Sequence, residues 1–243
     1  MKFGVVIFPG SNCDHDMIYM LSEILNKEVV ELWHKQTSLD GFDTGDCVVI
    51  PGGFSYGDYL RSGAIARFSP IMQAVTAFAK EGGHVVGICN GFQILCEAHL
   101  LPGVLLRNAN QKFICKNIFI KPMTVNTAIT GELDQDRAYQ IPIAHAEGRF
   151  HCDQTTFNRL VEMDQILFKY CDEVGSLNDT ANPNGSLDNI AGICNEDRNV
   201  IGMMPHPERA ADPALLNTDG RFLFESLITR IESTSRSYIL KSC

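Results

Sequence analysis

A chain of 243 residues, 45% apolar and 20% charged, is long enough for one sizeable α/β domain and has the composition of an ordinary globular protein. Its net charge of −9 argues against a nucleic-acid backbone or an anionic membrane as main partner. Nine cysteines without a C-x-x-C pair argue against a structural zinc site and for a reducing compartment.

The pattern along the chain is that of a strand–helix alternation. Residues 2–8 form a compact apolar run ended by Pro9-Gly10 and are expected to be a buried first strand. Acidic Asp14 and Asp16 follow too soon for a signal peptide, and no apolar run reaches membrane length, so the expected location is the cytoplasm. Met17, Met20, Leu21, Ile24 and Leu25 fall on one face of a helix. Strands are expected over 29–33 and 47–50, the latter closed by Pro51-Gly52-Gly53 and followed by a long polar loop over 54–63. Ser69 and Pro70 open a helix with Ile71, Ala74, Val75, Phe78 and Ala79 inward, and Gly82-Gly83 stops it. Residues 83–93 read as strand, sharp turn and helix.

This order, with near-continuous apolar strands, predicts an α/β fold: three layers, a mostly parallel sheet with helices on both faces. Sites in such sheets lie at the carboxyl ends of strands, here the loops 8–12 and 51–54 and the turn at Cys89. The second half is less helical. Strands are expected over 104–107, 113–120 and 139–145, a hairpin over 190–204, a surface loop over 178–185, and a last helix with Phe224, Leu227, Ile228 and Ile231 inward. With no repeat or linker, residues 1–243 read as a single domain.

Gly87-Ile88-Cys89-Asn90-Gly91 has the form G-x-C-x-G, the cysteine version of the strand-to-helix turn that exposes a nucleophile. Small neighbours suit its strained backbone, and the N–H of Asn90 would face an oxyanion formed by attack of the sulfur. The alternative is a buried structural cysteine. A nucleophile needs a base and an orienting group. Pro205-His206-Pro207-Glu208 supplies both, two residues apart, and its prolines favour an extended segment that projects both side chains to one side. A solvated surface turn is the equal alternative by spacing alone. Gly53 can turn its N–H into a site as a second oxyanion donor, or merely make a turn. His145 and Glu147 are a rival His/Glu pair, a contact, or a polar strand end. Tyr56 to Gly63 reads as a surface that senses a partner or closes on a substrate. No phosphate-binding G-x-x-x-x-G-K-[ST] loop is present.

Taken together, Pro51-Gly52-Gly53, Gly87 to Gln93 and Pro205 to Glu208 resemble the class I, or triad, glutamine amidotransferases. Residues 51–61, 112–115 and 142–145 are similar to the members of that family that serve as a separate glutaminase subunit in purine biosynthesis; Ala146 stands where glycine is expected. The resemblance runs from Phe3 to about Ala210. It implies Cys89, His206 and Glu208 as the catalytic triad and Gly53 and Asn90 as the oxyanion hole. It implies Gly52, Phe54, Gln93 and Asn108 as glutamine-binding residues. It also implies ammonia transfer to a large ATP-dependent synthase subunit with a small bridging subunit. No metal or cofactor is expected in this chain, ATP and magnesium belonging to the synthase. A stand-alone cysteine hydrolase of similar fold, such as a γ-glutamyl hydrolase or an intracellular cysteine peptidase, and a non-catalytic regulatory module remain the alternatives.

Overall fold

The computed structural model describes the backbone of residues 1–241 and the side chains through Thr234; Cys243 lies outside the described residues. Strand β1 (Lys2–Ile7) leads to helix α1 (Asp14–Tyr19), which continues as a wider turn through Met20–Ile24, then β2 (Glu28–Trp33) and β3 (Cys47–Ile50). Helix α2 (Pro70–Lys80), β4 (His84–Ile88), α3 (Asn90–Glu97) and β5 (Val104–Leu106) follow. The second half holds β6 (Ile114–Pro122), β7 (Tyr139–His145), β8 (Arg149–His151), α4 (Gln154–Glu162) and β9 (Ile166–Cys171), then β10 (Ile190–Cys194), β11 (Val200–Met203) and α5 (Asp219–Lys241).

Nine strands make one sheet in the order β2-β1-β3-β4-β11-β10-β9-β6-β7, and β5 pairs with β8 in a small separate ribbon. The first four pairings are parallel and the last four antiparallel, so seven of the nine strands point one way and only β10 and β6 oppose them. Every residue of β3 and β11 is buried, which requires cover on both faces, as an all-apolar strand demands. The core is one continuous cluster running from Phe3 through Phe92 and Phe168 to Ile231. Among the described residues no helix is long and apolar enough to cross a membrane.

Local signals were met with few exceptions. Pro70 opens α2 as expected, but the Ser69 hydroxyl donates to Ala66 O and does not cap the helix. The α2 face that turns inward is Ile71, Met72, Val75, Phe78 and Ala79, with Ala74 only half-buried. Residues 178–185 are not simply a surface loop: Asn184 is buried and donates to Gly148 O at 2.8 Å. Helix α4 was not foreseen; its only buried residue is Leu160, so it carries little apolar pattern, and its start is set by Asp153 accepting from Thr156 N at 2.7 Å.

The strand order alone would put β7 far from β4. Yet His206 N donates to Pro142 O at 2.8 Å, and Cys89 Sγ lies 3.8 Å from Ala144 O. The antiparallel half therefore curls back over the carboxyl ends of β4 and β11, and the end of β7 becomes a wall of the site.

Candidate active site

Cys89 stands at φ 50°, ψ −104°, between the last residue of β4 and the first of α3. A non-glycine residue in that region is strained and persists only when its surroundings fix it. Here the Cys89 N–H is tied to Met203 O at 2.8 Å and its carbonyl accepts from Gln93 N at 3.1 Å. The turn also has no room for side chains: a Cβ on Gly91 would stand 1.9 Å from Ile50 O. A Cβ on Gly52 would meet His206 Cε1 at 2.7 Å and Cys89 Cβ at 3.4 Å, so that glycine packs directly on His206 and Cys89. Gly53 beside it takes φ 135°, a conformation open to glycine.

His206 is buried, and its Nδ1 is 2.6 Å from Glu208 Oε1. The pair is not in an extended segment. Pro207–Arg209 is a turn of 3₁₀ helix with proline in its first position, and that turn brings the two side chains together. His206 Nε2 is buried and has no oxygen or nitrogen partner, so it is the ring nitrogen left available to a thiol. Burial opposes a charge on this imidazole; the Glu208 carboxylate and the Cys89 sulfur outweigh it and hold the pKa well above the ordinary histidine value. Cys13 adds a second thiol close to His206. Its sulfur lies 3.1 Å from Arg209 Nη2, and the donor atoms of Cys13, His206 and Glu208 all lie within 4.8 Å of one another. A metal there would have to displace the proton shared by His206 and Glu208.

A cavity of about 240 Å³ opens at Cys89. It is smaller than the roughly 300–1,000 Å³ of pockets that take drug-sized ligands, and suits a small substrate. Gly53, Phe54, Asp58, Ser62, Gln93 and the 144–147 segment line it. A larger cavity of about 520 Å³ lies between the end of α3, α4 and the β10–β11 turn, and none of Cys89, His206 and Glu208 lines it.

The four residues implied as glutamine contacts divide. Phe54 lines the cavity and is half exposed. Gln93 lines it too, but its amide is engaged by the protein, accepting from Asn90 Nδ2 at 2.8 Å and donating to Glu147 O at 2.5 Å. Gly52 sits behind the triad. Asn108 does not line the cavity: fully buried, it donates to the carbonyls of Lys112 and His145, both at 2.8 Å, and holds the 145–148 strap in shape. Those donations leave its Oδ1 to accept from His145 Nδ1 at 3.0 Å. The proton of His145 is thereby fixed on Nδ1, and burial, aided by the charge of His206, pushes its pKa down to about 4. His145 is thus a neutral wall residue and not a second base.

The loop 54–63 is clasped to the elbow. Asn90, fully buried, accepts from Ser55 N at 3.1 Å and from the Ser55 hydroxyl, and its Nδ2 reaches Asp58 Oδ1 at 3.2 Å. Tyr56 OH meets His34 Nδ1 at 2.6 Å, and Arg61 forks onto Glu97 at 2.5 and 2.7 Å. Sequence reasoning singled out neither Asp58 nor Ser62 as a site residue, although both fall in the Tyr56 to Gly63 segment read as sensing a partner or closing on a substrate.

A thiol on a strained elbow, an imidazole oriented by a carboxylate and a small cavity with a few polar side chains in its wall, all at the carboxyl ends of a mixed α/β sheet, are the features of a cysteine-dependent glutamine amidotransferase. Residues 1–223 match the family described as a CobB/CobQ-like glutamine amidotransferase domain. The chain is 54% identical to phosphoribosylformylglycinamidine synthase subunit PurQ of Koribacter versatilis, over 94% of this chain and 97% of that one. It is 53% identical to the same subunit of Moorella thermoacetica, over 94% and 95%. Among solved structures, that of PurLQS from Thermotoga maritima superposes with a TM-score of 0.81 at 37% identity, covering 95% of this chain and 98% of that one. The chain belongs to the PurQ family of glutamine amidotransferases.

Proposed function

We propose that this chain acts as one glutamine amidotransferase domain, the glutaminase subunit of phosphoribosylformylglycinamidine synthase. It hydrolyses glutamine to glutamate and ammonia and hands the ammonia to a separate ATP-dependent synthase, which makes formylglycinamidine ribonucleotide in de novo purine biosynthesis. Its partners are the large synthase subunit and a small bridging subunit, and the complex works in the cytoplasm. The chain needs no cofactor of its own; ATP and magnesium are used on the synthase. The observation that carries this reading is the left-handed Cys89 elbow facing the buried His206–Glu208 pair, in a chain about half identical to PurQ over nearly its whole length.

The geometry gives each group a task. The Cys89 thiol passes its proton to His206 Nε2, and Glu208 holds the resulting imidazolium through Nδ1. The sulfur attacks the side-chain carboxamide carbon of glutamine, and the N–H groups of Gly53 and Asn90 take the negative charge that grows on its oxygen. The C–N bond breaks as His206 returns the proton to the leaving nitrogen, giving ammonia and a γ-glutamyl thioester. His206 then takes a proton from water, the hydroxide attacks the thioester carbon, and glutamate leaves as the sulfur regains a proton. The raised pKa of His206 suits a group that must hold a proton between these steps.

A glutamine analogue bearing a chloro ketone in place of the carboxamide tests this reading. Incubated with the assembled complex, it is expected to alkylate Cys89 alone among the nine cysteines, and excess glutamine is expected to prevent it. Alkylation elsewhere, or protection by nothing, overturns the assignment.

A further inference from the structure

Glutamine brings to the pocket an α-ammonium as well as the carboxamide that reacts, and the triad does not account for how that charge is received. The cavity wall does. Asp58, from the clasped loop, and Glu147, from the strap after β7, both line the Cys89 cavity. Ser62 lies between them, its Oγ 3.2 Å from Asp58 Oδ2 and 2.9 Å from Glu147 Oε2. A hydroxyl has one proton and can serve only one of two carboxylates at a time. Asn90 Nδ2, to Asp58 Oδ1, and the backbone N–H of Gly63 supply the further donors to Asp58. Among the described residues no lysine, arginine or histidine forms an ion pair with either carboxylate.

The other titratable groups of the wall offer no compensating charge. His145 carries its single proton on Nδ1, turned to Asn108, and its Nε2 is buried without a partner. Burial, with Glu147 adding to it, raises the Asp58 carboxyl above its ordinary value, against the hydrogen bonds from Ser62, Asn90 and the Gly63 backbone. Two carboxylates half out of water with less donor capacity than acceptor capacity are poorly satisfied, and a cation with three N–H donors is the group that completes them.

We infer that Asp58 and Glu147, bridged by Ser62, form the seat of the substrate's α-ammonium and select a free α-amino acid over other carboxamides. The inference rests on the glutaminase reading above and specifies how that site tells glutamine from its analogues. The two carboxylates come from loops 89 positions apart, so the seat depends on Asn90, and to a lesser degree on the Arg61–Glu97 pair, to hold the 54–63 loop against α3. Asp58 and Glu147 are specificity residues: they touch the non-reacting end of the substrate and leave the carboxamide to Cys89.

The test uses the assembled synthase complex and two substrates, L-glutamine and glutaramate, which keeps the carboxamide and the carboxylate and lacks the ammonium. Wild type is expected to prefer glutamine strongly in kcat/KM. Asp58→Asn and Glu147→Gln are each expected to raise KM for glutamine about ten- to a hundredfold, the effect of losing a hydrogen bond to a charged group. Their kcat/KM for glutaramate should stay near the wild-type value, so that the preference collapses. Ammonia-dependent synthesis by the same complexes reports whether they are folded and assembled. Wild type turning over glutaramate as well as glutamine overturns the seat without any variant. So do variants that keep the wild-type preference, or that lose both substrates equally while ammonia-dependent synthesis is intact. A wild-type complex that neither hydrolyses glutamine nor is alkylated at Cys89 would instead overturn the glutaminase reading itself.

Discussion

The two walls of the active site are built in opposite ways. On the Cys89 side, β3, β4 and β11 are parallel neighbours whose residues are almost all buried, and the nucleophile is fixed by backbone bonds and by glycines that leave no room for movement. On the other side, the loop 54–63 and the 145–148 strap carry side chains that are mostly half-buried or exposed and hold one another through polar bonds. Tyr56, Asp58 and Leu60 in that loop all take positive φ, at 54°, 51° and 74°. On the proposed function, the difference teaches that the reacting groups are held by packing, which resists change, and the recognition groups by a polar network, which a single substitution can loosen.

The largest effect should come from the rigid wall. Cys89→Ser is expected to abolish glutamine-dependent synthesis by the complex and to leave ammonia-dependent synthesis intact, because the serine hydroxyl is far less acidic than the thiol. Assaying both nitrogen sources on one preparation checks this; glutamine use by the variant would sink the mechanism. Glu208→Gln keeps the shape and removes the charge that raises the His206 pKa. We expect kcat to fall on the order of ten-thousandfold, as when the orienting carboxylate of a triad is neutralised. The limb of the pH–rate profile that reports the imidazole should move to lower pH.

Next comes a test of the seam between the walls. His145 is neutral in the folded protein with a pKa near 4, against about 6.5 when unfolded. Between those values the unfolded chain binds the extra proton, so stability falls as pH drops from about 6.5 toward 4, by up to roughly 3 kcal/mol. His84, also lowered by burial, acts in the same direction, whereas the contribution of His206, whose pKa is raised, is retained at low pH. Urea unfolding at several pH values should show the loss, and His145→Asn, which keeps a donor for Asn108, should flatten it. A variant curve parallel to wild type would refute the assignment.

The smallest effects separate two clasps of the substrate wall. Asn90→Ala leaves Ser55 N–H and the Asp58 carboxylate without their buried partner and should cost about 1–3 kcal/mol in stability and raise KM for glutamine. Arg61→Ala removes an ion pair whose arginine side chain is 65% exposed, so it should cost under about 1 kcal/mol, with a smaller rise in KM. Equal effects of the two would erase the distinction between a buried and a surface clasp.

Much of the rigid wall was readable in the sequence. Apolar runs punctuated by Pro-Gly and Gly-Gly located β1 to β4, and Gly87-Ile88-Cys89-Asn90-Gly91 marked the elbow, because close backbone approach leaves few residue types that fit. Chain-local patterns also placed β7 and the β10–β11 hairpin. Helix α4 escaped because a helix that buries one leucine has almost no apolar period, although Asp153 three residues before Thr156 was an available start signal. Strand β9 went unassigned although its run of Ile, Leu, Phe and Tyr was there to be read. The spacing of His206 and Glu208 gave the pairing but the wrong backbone, since two residues apart can meet across a 3₁₀ turn as well as along a strand.

What the sequence by itself determined was the set of elements whose cause is local: alternation, turn residues, caps and the tight glycine neighbourhood of the nucleophile. Only the tertiary structure decided that the antiparallel half folds back so that Pro142 and Ala144 face His206 and Cys89. It alone decided that Asn108 supports the pocket from behind and that Asp58 and Glu147 meet across Ser62. The physical reason is that contacts between residues tens of positions apart depend on how a twisted sheet closes, a property of all its strands together that no local pattern carries.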